Sequence, residues 1–359
     1  MFVSVFRRLP QISRAAACSP SSSLLHRHFP DQLAIESTAP PQKYLSRLAD
    51  LVQEAQHSRS CAGSRSKSPH RTGDECRGMP CASRQYHRTL RGNASVLVCA
   101  ARRRSREKGW DSSLDRDDIF QMLLEQGGRC NYSGVPMEIL VPHSHWRMSL
   151  ERLNNSEGYR RQNCALVAAE FNSGDFSRAL GVKQADVEGS AQWSAEKHRF
   201  VSNACNLIVD LEKLQQDVVD AFRKPFLSGM PSRSSYRRAY SRTLRSRSKS
   251  LIYSAHARSR MRDEDCELEY TDILRMLLQQ RGRCFYSGVP LQYERPHTDW
   301  VMSLERLDNS IGYVKGNCVL IASEFNTPDR SKTAKWEVRG SSQWSLAKVM
   351  HVWGRAGFL

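Results

Sequence analysis

No apolar run approaches the roughly 18 residues that a membrane-spanning helix needs, so no membrane span is expected. Nor do the cysteines form a secreted disulfide framework: there are 11, an odd number without regular spacing, which points to a reducing compartment. Acid is missing from the start of the chain, where Arg7, Arg8, Arg14 and Arg27 stand among many serines and the first carboxylate is Asp31. That Arg-rich, Ser-rich, acid-poor profile is expected of an organelle import segment. Residues 1–30 are therefore read as a transit segment, mitochondrial ahead of plastid, with an unstructured tail as the bland alternative.

Positive charge is what the chain has in excess, +17 over 359 residues, and it is concentrated. Tyr86 to Lys108 holds seven Arg or Lys against one Glu, and Arg237 to Arg262 holds nine against none. Two short arms thus carry nearly all of the surplus. Clustered cations displace counterions from a phosphate backbone, so DNA or RNA is the expected partner. Solvated helix faces are the alternative.

The chain repeats itself. MSLERLNNSEGY, from Met148, recurs as MSLERLDNSIGY from Met302, and 27 of 44 positions are identical between Arg129–Asn172 and Arg283–Asn326. The offset of 154 reaches back to Thr89 and Thr243, which places each basic arm inside the repeated unit. Gln192, Trp193 and Ser194 answer Gln343, Trp344 and Ser345 at an offset of 151, a loop shortening. Two copies at so long a period are tandem globular domains rather than a solenoid. The expected division is a transit segment over 1–30, a mostly disordered stretch with one short helix near Tyr44–Ala55 over 31–81, a first repeat over 82–223, a Ser/Pro/Gly linker over 224–236 and a second repeat over 237–359.

Each repeat reads as α+β. A basic helix is followed by a short one with an Ile119, Met122, Leu123 stripe (Ile273, Met276, Leu277 in the second copy), capped at Asp117 or Thr271 and ended near Gly128 or Gly282. A Cys-x-Tyr-Ser-Gly knuckle precedes two extended pieces joined by the Asn-Ser-x-Gly-Tyr turn, and helix is expected from Ala169. Trp193 to Phe222 is expected to be one long helix with Ile208, Leu211, Leu214, Val218 and Phe222 on one stripe.

The order knuckle, hairpin, helix and the segments SLERLNNSEGYRRQNCALVAAEFN and SLERLDNSIGYVKGNCVLIASEFN resemble HNH or endonuclease VII-like (His-Me finger) domains over about 45 residues per repeat. The resemblance implies two tandem ββα-metal modules, each preceded by a basic arm and followed by helix. It maps the metal-holding acid onto Glu151 and Glu305, the helix ligand onto Asn172 and Asn326, and the loop-orienting Asn onto Asn163 and Asn317. A divalent cation such as Mg²⁺ would be held there against the scissile phosphate.

Two departures shape the functional expectation. Arg152 and Arg306 occupy the general base's place, and an arginine has no lone pair with which to take a proton from water. It does grip phosphate well, so both join Arg102, Arg103, Arg104, Arg106, Arg258 and Arg260 as expected nucleic-acid contacts, with a Glu-Arg salt bridge within the hairpin as the plainer use. The four zinc-staple positions read Cys130, Ser133, Ala168 and Phe171, then Cys284, Ser287, Ala322 and Phe325, so structural zinc is not expected. Cys164 and Cys318 read as buried small hydrophobes, and His143 and His297 as turn residues rather than displaced bases. The leading expectation is a binding protein of two degenerate modules, needing no cofactor and belonging to a ribonucleoprotein such as the mitochondrial ribosome. The rival is an active divalent-metal-dependent endonuclease.

Overall fold

Each Met-Ser-Leu-Glu-Arg segment forms the first strand of an antiparallel hairpin in a computed structural model that describes residues 41–57, 86, 88–141, 144–173, 192–223, 229, 232–294, 299–327 and 343–354. In chain order, α1 (Gln42–His57) buries Leu48, Val52 and Ala55. The basic helix α2 (Leu90–Lys108) starts at Thr89, whose side chain accepts from Gly92 N, and ends at left-handed Gly109. The short helix α3 (Arg116–Glu125) buries Ile119, Phe120, Met122 and Leu123, and its N-cap is Asp115 rather than Asp117. Asp115 and Asp118 satisfy each other's backbone N–H groups there, at 2.9 Å each.

The knuckle turns tightly, with Gly134 N donating to Cys130 O at 2.8 Å. β1 (Met148–Arg152) then pairs with β2 (Cys164–Ala168), Leu150 opposite Leu166 and Arg152 opposite Cys164. After β2 the described residues make a 3₁₀ turn, Ala169–Phe171, with Asn172 at its end, and the rest of the helix expected from Ala169 lies outside the described residues up to Gln192. The expected long helix is two: α4 (Ala195–Ser202) and α5 (Leu211–Phe222), separated by another 3₁₀ turn and restarted by Asp210 as N-cap. Ile208 lies in that break, 92% exposed. The expected linker runs into α6 (Arg233–Ser241), capped by Ser232.

The second copy repeats the first as α7 (Leu244–Arg262), α8 (Tyr270–Gln279), β3 (Met302–Arg306), β4 (Cys318–Ala322) and α9 (Leu346–Trp353). The N-cap of α8 is Glu269, not Thr271. Among the described residues the architecture is α+β, with two separate two-stranded sheets.

Packing redraws the repeat boundary. α5, assigned by sequence to the end of the first repeat, packs on α7 and α8 of the second, as α1 packs on α2 and α3. Arg91 Nη1 donates to Ala55 O of α1 at 2.9 Å, and Arg245 Nη1 donates to Ala221 O of α5 at 2.7 Å. The buried positions Leu48, Val52 and Ala55 correspond to Leu214, Val218 and Ala221. α1 is therefore no lone helix but the first element of a repeat.

Each repeat also completes the other. Lys197 of α4 reaches across to Glu324 at 2.6 Å, and Lys348 of α9 reaches back to Glu170 at 2.8 Å. Phe200 stacks on Trp300 at 4.8 Å, while His351 lies against Trp146 at 4.5 Å. Between them Phe171, Trp193, Phe325, Trp344 and Trp353 form one aromatic cluster from both copies, with ring centroids 5.0 Å apart for Trp193 and Trp344. The first four of those rings are at most 1% exposed. Rings of this size dominate the burial energy of an interface, so the two copies share one core.

Candidate nucleic-acid interface

The hairpin loop is held from three sides. Asn163 takes the Asn154 N–H on Oδ1 at 2.7 Å and donates from Nδ2 to Asn154 O and Gly158 O, each at 3.0 Å. Asn317 does the same for Asp308 and Gly312. Inside the loop Asn154 caps Ser156, and Asp308 caps Ser310. The loop backbone then lies directly on the segment after the basic helix: a Cβ on Gly158 would meet Asp111 O at 1.9 Å, and one on Gly312 would meet Asp265 O at 2.2 Å. Only glycine permits that approach.

Arg152 and Arg306 are the third brace. Arg152 Nη1 donates to Asn155 O at 3.0 Å and to Glu157 O at 2.8 Å, with its guanidinium 4.1 Å from the centre of the Trp110 ring. Arg306 Nη1 donates to Ile311 O at 3.1 Å and to the Glu264 carboxylate at 2.5 Å. They are 7% and 0% exposed. Their Nη donors are turned onto the loop, which favours a bracing use of these two arginines over the phosphate contact expected from the sequence.

Glu151 and Glu305 are likewise buried, 1% and 0% exposed. Asn172 Nδ2 donates to Ser149 Oγ and Leu150 O, both at 2.9 Å, and Asn326 repeats this with Ser303 and Leu304. Because strand side chains alternate, Ser149 and Glu151 share a face, and Asn172 lies over it. Among the described residues no group of three or more His, Cys, Asp or Glu is arranged to hold a metal ion. Each copy thus brings one buried carboxylate and one side-chain amide to that face among the described residues. His143 and His297 lie outside the described residues.

The cysteines that open β2 and β4 are buried. Burial pushes the Cys164 thiol up to about 12 against the pull of nearby Arg152, and the Cys318 thiol likewise up to about 12 against Arg306. Cys284 Sγ lies 3.3 Å from Ala322 N, so backbone contact joins knuckle and second strand there. Gln126 reinforces that join, donating to Arg129 O and Leu166 O and accepting from Leu166 N, and Gln280 is its twin.

The basic helices present the exposed charge. Arg102, Arg103, Arg104 and Arg106 on α2 and Arg258 and Arg260 on α7 all face solvent. Arg102 also reaches Leu114 O at 3.3 Å, and Arg103 stands 3.9 Å from Glu107. Arg104 and Arg258 do double duty, donating to Tyr159 Oη and Tyr313 Oη at 2.8 Å each. The same rings lie beneath Arg152 and Arg306, at 5.2 and 5.0 Å. Tyrosine thus latches each basic helix to its hairpin loop. The sequence reading missed Trp110, Glu264, Glu170 and Glu324; the last two are identical in both copies, but nothing local says which lysine they meet.

A 29.0 kDa uncharacterized protein from the dda-modA intergenic region of Enterobacteria phage T4 is 33% identical to this chain over 79 residues, 22% of this chain and 30% of the phage protein. The chain thus spans less than a third of that relative. No protein-family model and no solved structure matches the chain.

Proposed function

We propose that the protein binds nucleic acid without cutting it, through two degenerate HNH-like ββα modules fused back to back. The observation that carries this reading is the contrast between two sets of arginines. Those on α2 and α7 stay in solvent on helices latched to the loops, while Arg152 and Arg306, in the general base's place, are consumed in bracing those loops. Exposed arginines with few acids among them suit a phosphate backbone. The Arg-rich first 30 residues support import into a mitochondrion, where a ribonucleoprotein is the natural setting for a binder of this kind.

Titrating fluorescent duplex and structured RNA across a salt series tests the reading. Affinity should fall steeply with salt, and combining Arg102→Ser, Arg103→Ser, Arg106→Ser and Arg260→Ser should flatten the slope by about 0.9 per lost phosphate contact on duplex DNA. A salt-independent interaction, or one indifferent to those changes, would end it.

The rival reading, a divalent-metal-dependent endonuclease, draws on Asn172 and Asn326 lying over the glutamate face in both copies. Clean Mg²⁺- or Mn²⁺-dependent cleavage, abolished by Glu151→Ala plus Glu305→Ala, would establish it in place of the first.

A further inference from the structure

Of the chain's 11 tyrosines, ten are buried or half-buried, and the other, Tyr253 on α7, is 72% exposed. Its neighbours on that face are Lys249, His256 and Arg260, all exposed. Positions 249, 253, 256 and 260 follow the i, i+4, i+7, i+11 spacing of a single helix stripe. The inner side of α7 buries Leu251, Ile252 and Ala255, so the stripe faces outward. A tyrosine that braced the fold would bury its ring or bond its hydroxyl, as Tyr159 and Tyr313 do. Tyr253 does neither among the described residues.

The first copy lacks this arrangement. Ser95, Cys99, Arg102 and Arg106 stand where α7 has Lys249, Tyr253, His256 and Arg260. Both stripes keep cations, and only the second carries a solvent-facing ring between them.

We infer that α7 binds single-stranded nucleic acid by stacking an unpaired base on Tyr253, with Lys249 and Arg260 neutralising the flanking phosphates. This rests on the nucleic-acid reading above and adds to it the strand state of the ligand and a division of labour. α2 holds phosphates alone, so it accepts duplex or single strand. α7 adds a ring that a paired and stacked base cannot reach. Stacking offers every base a π-face and reads no 2′-hydroxyl, so RNA and DNA single strands bind α7 alike.

The test compares full-length protein with Tyr253→Ala and Tyr253→Phe by anisotropy of fluorescein-labelled single-stranded RNA, single-stranded DNA and duplex DNA of matched length. Tyr253→Ala should weaken both single strands by about 5- to 100-fold while leaving the duplex and the salt slope unchanged, and Tyr253→Phe should retain wild-type binding. A circular-dichroism melt at the wild-type temperature checks that Tyr253→Ala is folded. If wild type binds single strands and Tyr253→Ala binds them equally well, the stacking inference is overturned and phosphate binding stands. If wild type binds no nucleic acid in a salt-dependent way, the underlying reading falls too.

Discussion

Arg152 and Arg306 end the same five-residue strand and brace the same loop, yet one lies over the Trp110 ring and the other against the Glu264 carboxylate. Trp110 and Glu264 occupy equivalent places after the basic helices. A guanidinium can be satisfied from its face by a π-cloud or at its edge by an anion. The two copies have kept the arginine and its loop carbonyls and exchanged the partner behind it. The fixed requirement is therefore a rigid loop, which argues that these residues shape the site rather than touch a ligand.

The largest effects should come from the contacts that tie the copies together. Lys197→Met and Lys348→Met each remove the lysine of a buried ion pair, although Glu170 keeps His145 at 3.0 Å, and should cost up to about 3–5 kcal/mol. Because each lysine serves the opposite repeat, both variants should melt in one transition by calorimetry; two separated transitions would show the halves to be independent.

Removing the loop braces should separate the copies. Arg306→Ala strands the Glu264 carboxylate and should cost about 3–5 kcal/mol in urea, and Arg152→Ala, which leaves behind only a ring and carbonyls, should cost less. Equal losses would mean that the partner behind the arginine does not matter.

Acid should test one side of the shared core. Burial against Phe171 and Trp353 lowers the His198 pKa to about 4, and its counterpart in α9 is Val349. The unfolded chain, with an ordinary histidine near 6.5, takes up the proton first as pH falls. Stability from this group is complete above about pH 6.5 and is lost on the way down to about 4, on the order of 2–3 kcal/mol after allowing for partial exposure. His198→Val should flatten that part of the pH–stability curve.

The smallest stability effects belong to the outer faces. Arg103→Ser, Arg106→Ser and Arg260→Ser should each move stability by no more than about 0.5 kcal/mol, while still weakening any phosphate-dependent affinity. A larger melt shift would make these side chains structural.

Much of this was legible in the sequence, because a duplicated sentence is its own control: the hairpin stretches, the loop between them and the stripe of α3 follow from alternation and helical spacing. What stayed hidden depends on contacts distant along the chain. α1 and α5 correspond at an offset of 166 rather than 154, and four identities, Leu45, Leu48, Val52 and Ala55 against Leu211, Leu214, Val218 and Ala221, mark the likeness. The break after Ser202 had a local signal in Asp210 followed by Leu211, which an unbroken apolar stripe outweighed. The exchange of lysines could not be read at all, since Lys197 and Lys348 look alike whether each serves its own repeat or the other.

That exchange has a consequence for how the two outer helices could diverge. In a dimer of separate chains, partners come apart on dilution, and every change appears twice, on both sides of the axis. Here the linker makes the association intramolecular, so it is insensitive to dilution. Cys99 on one side and Tyr253 on the other are a difference that a symmetric pair of identical chains could not hold.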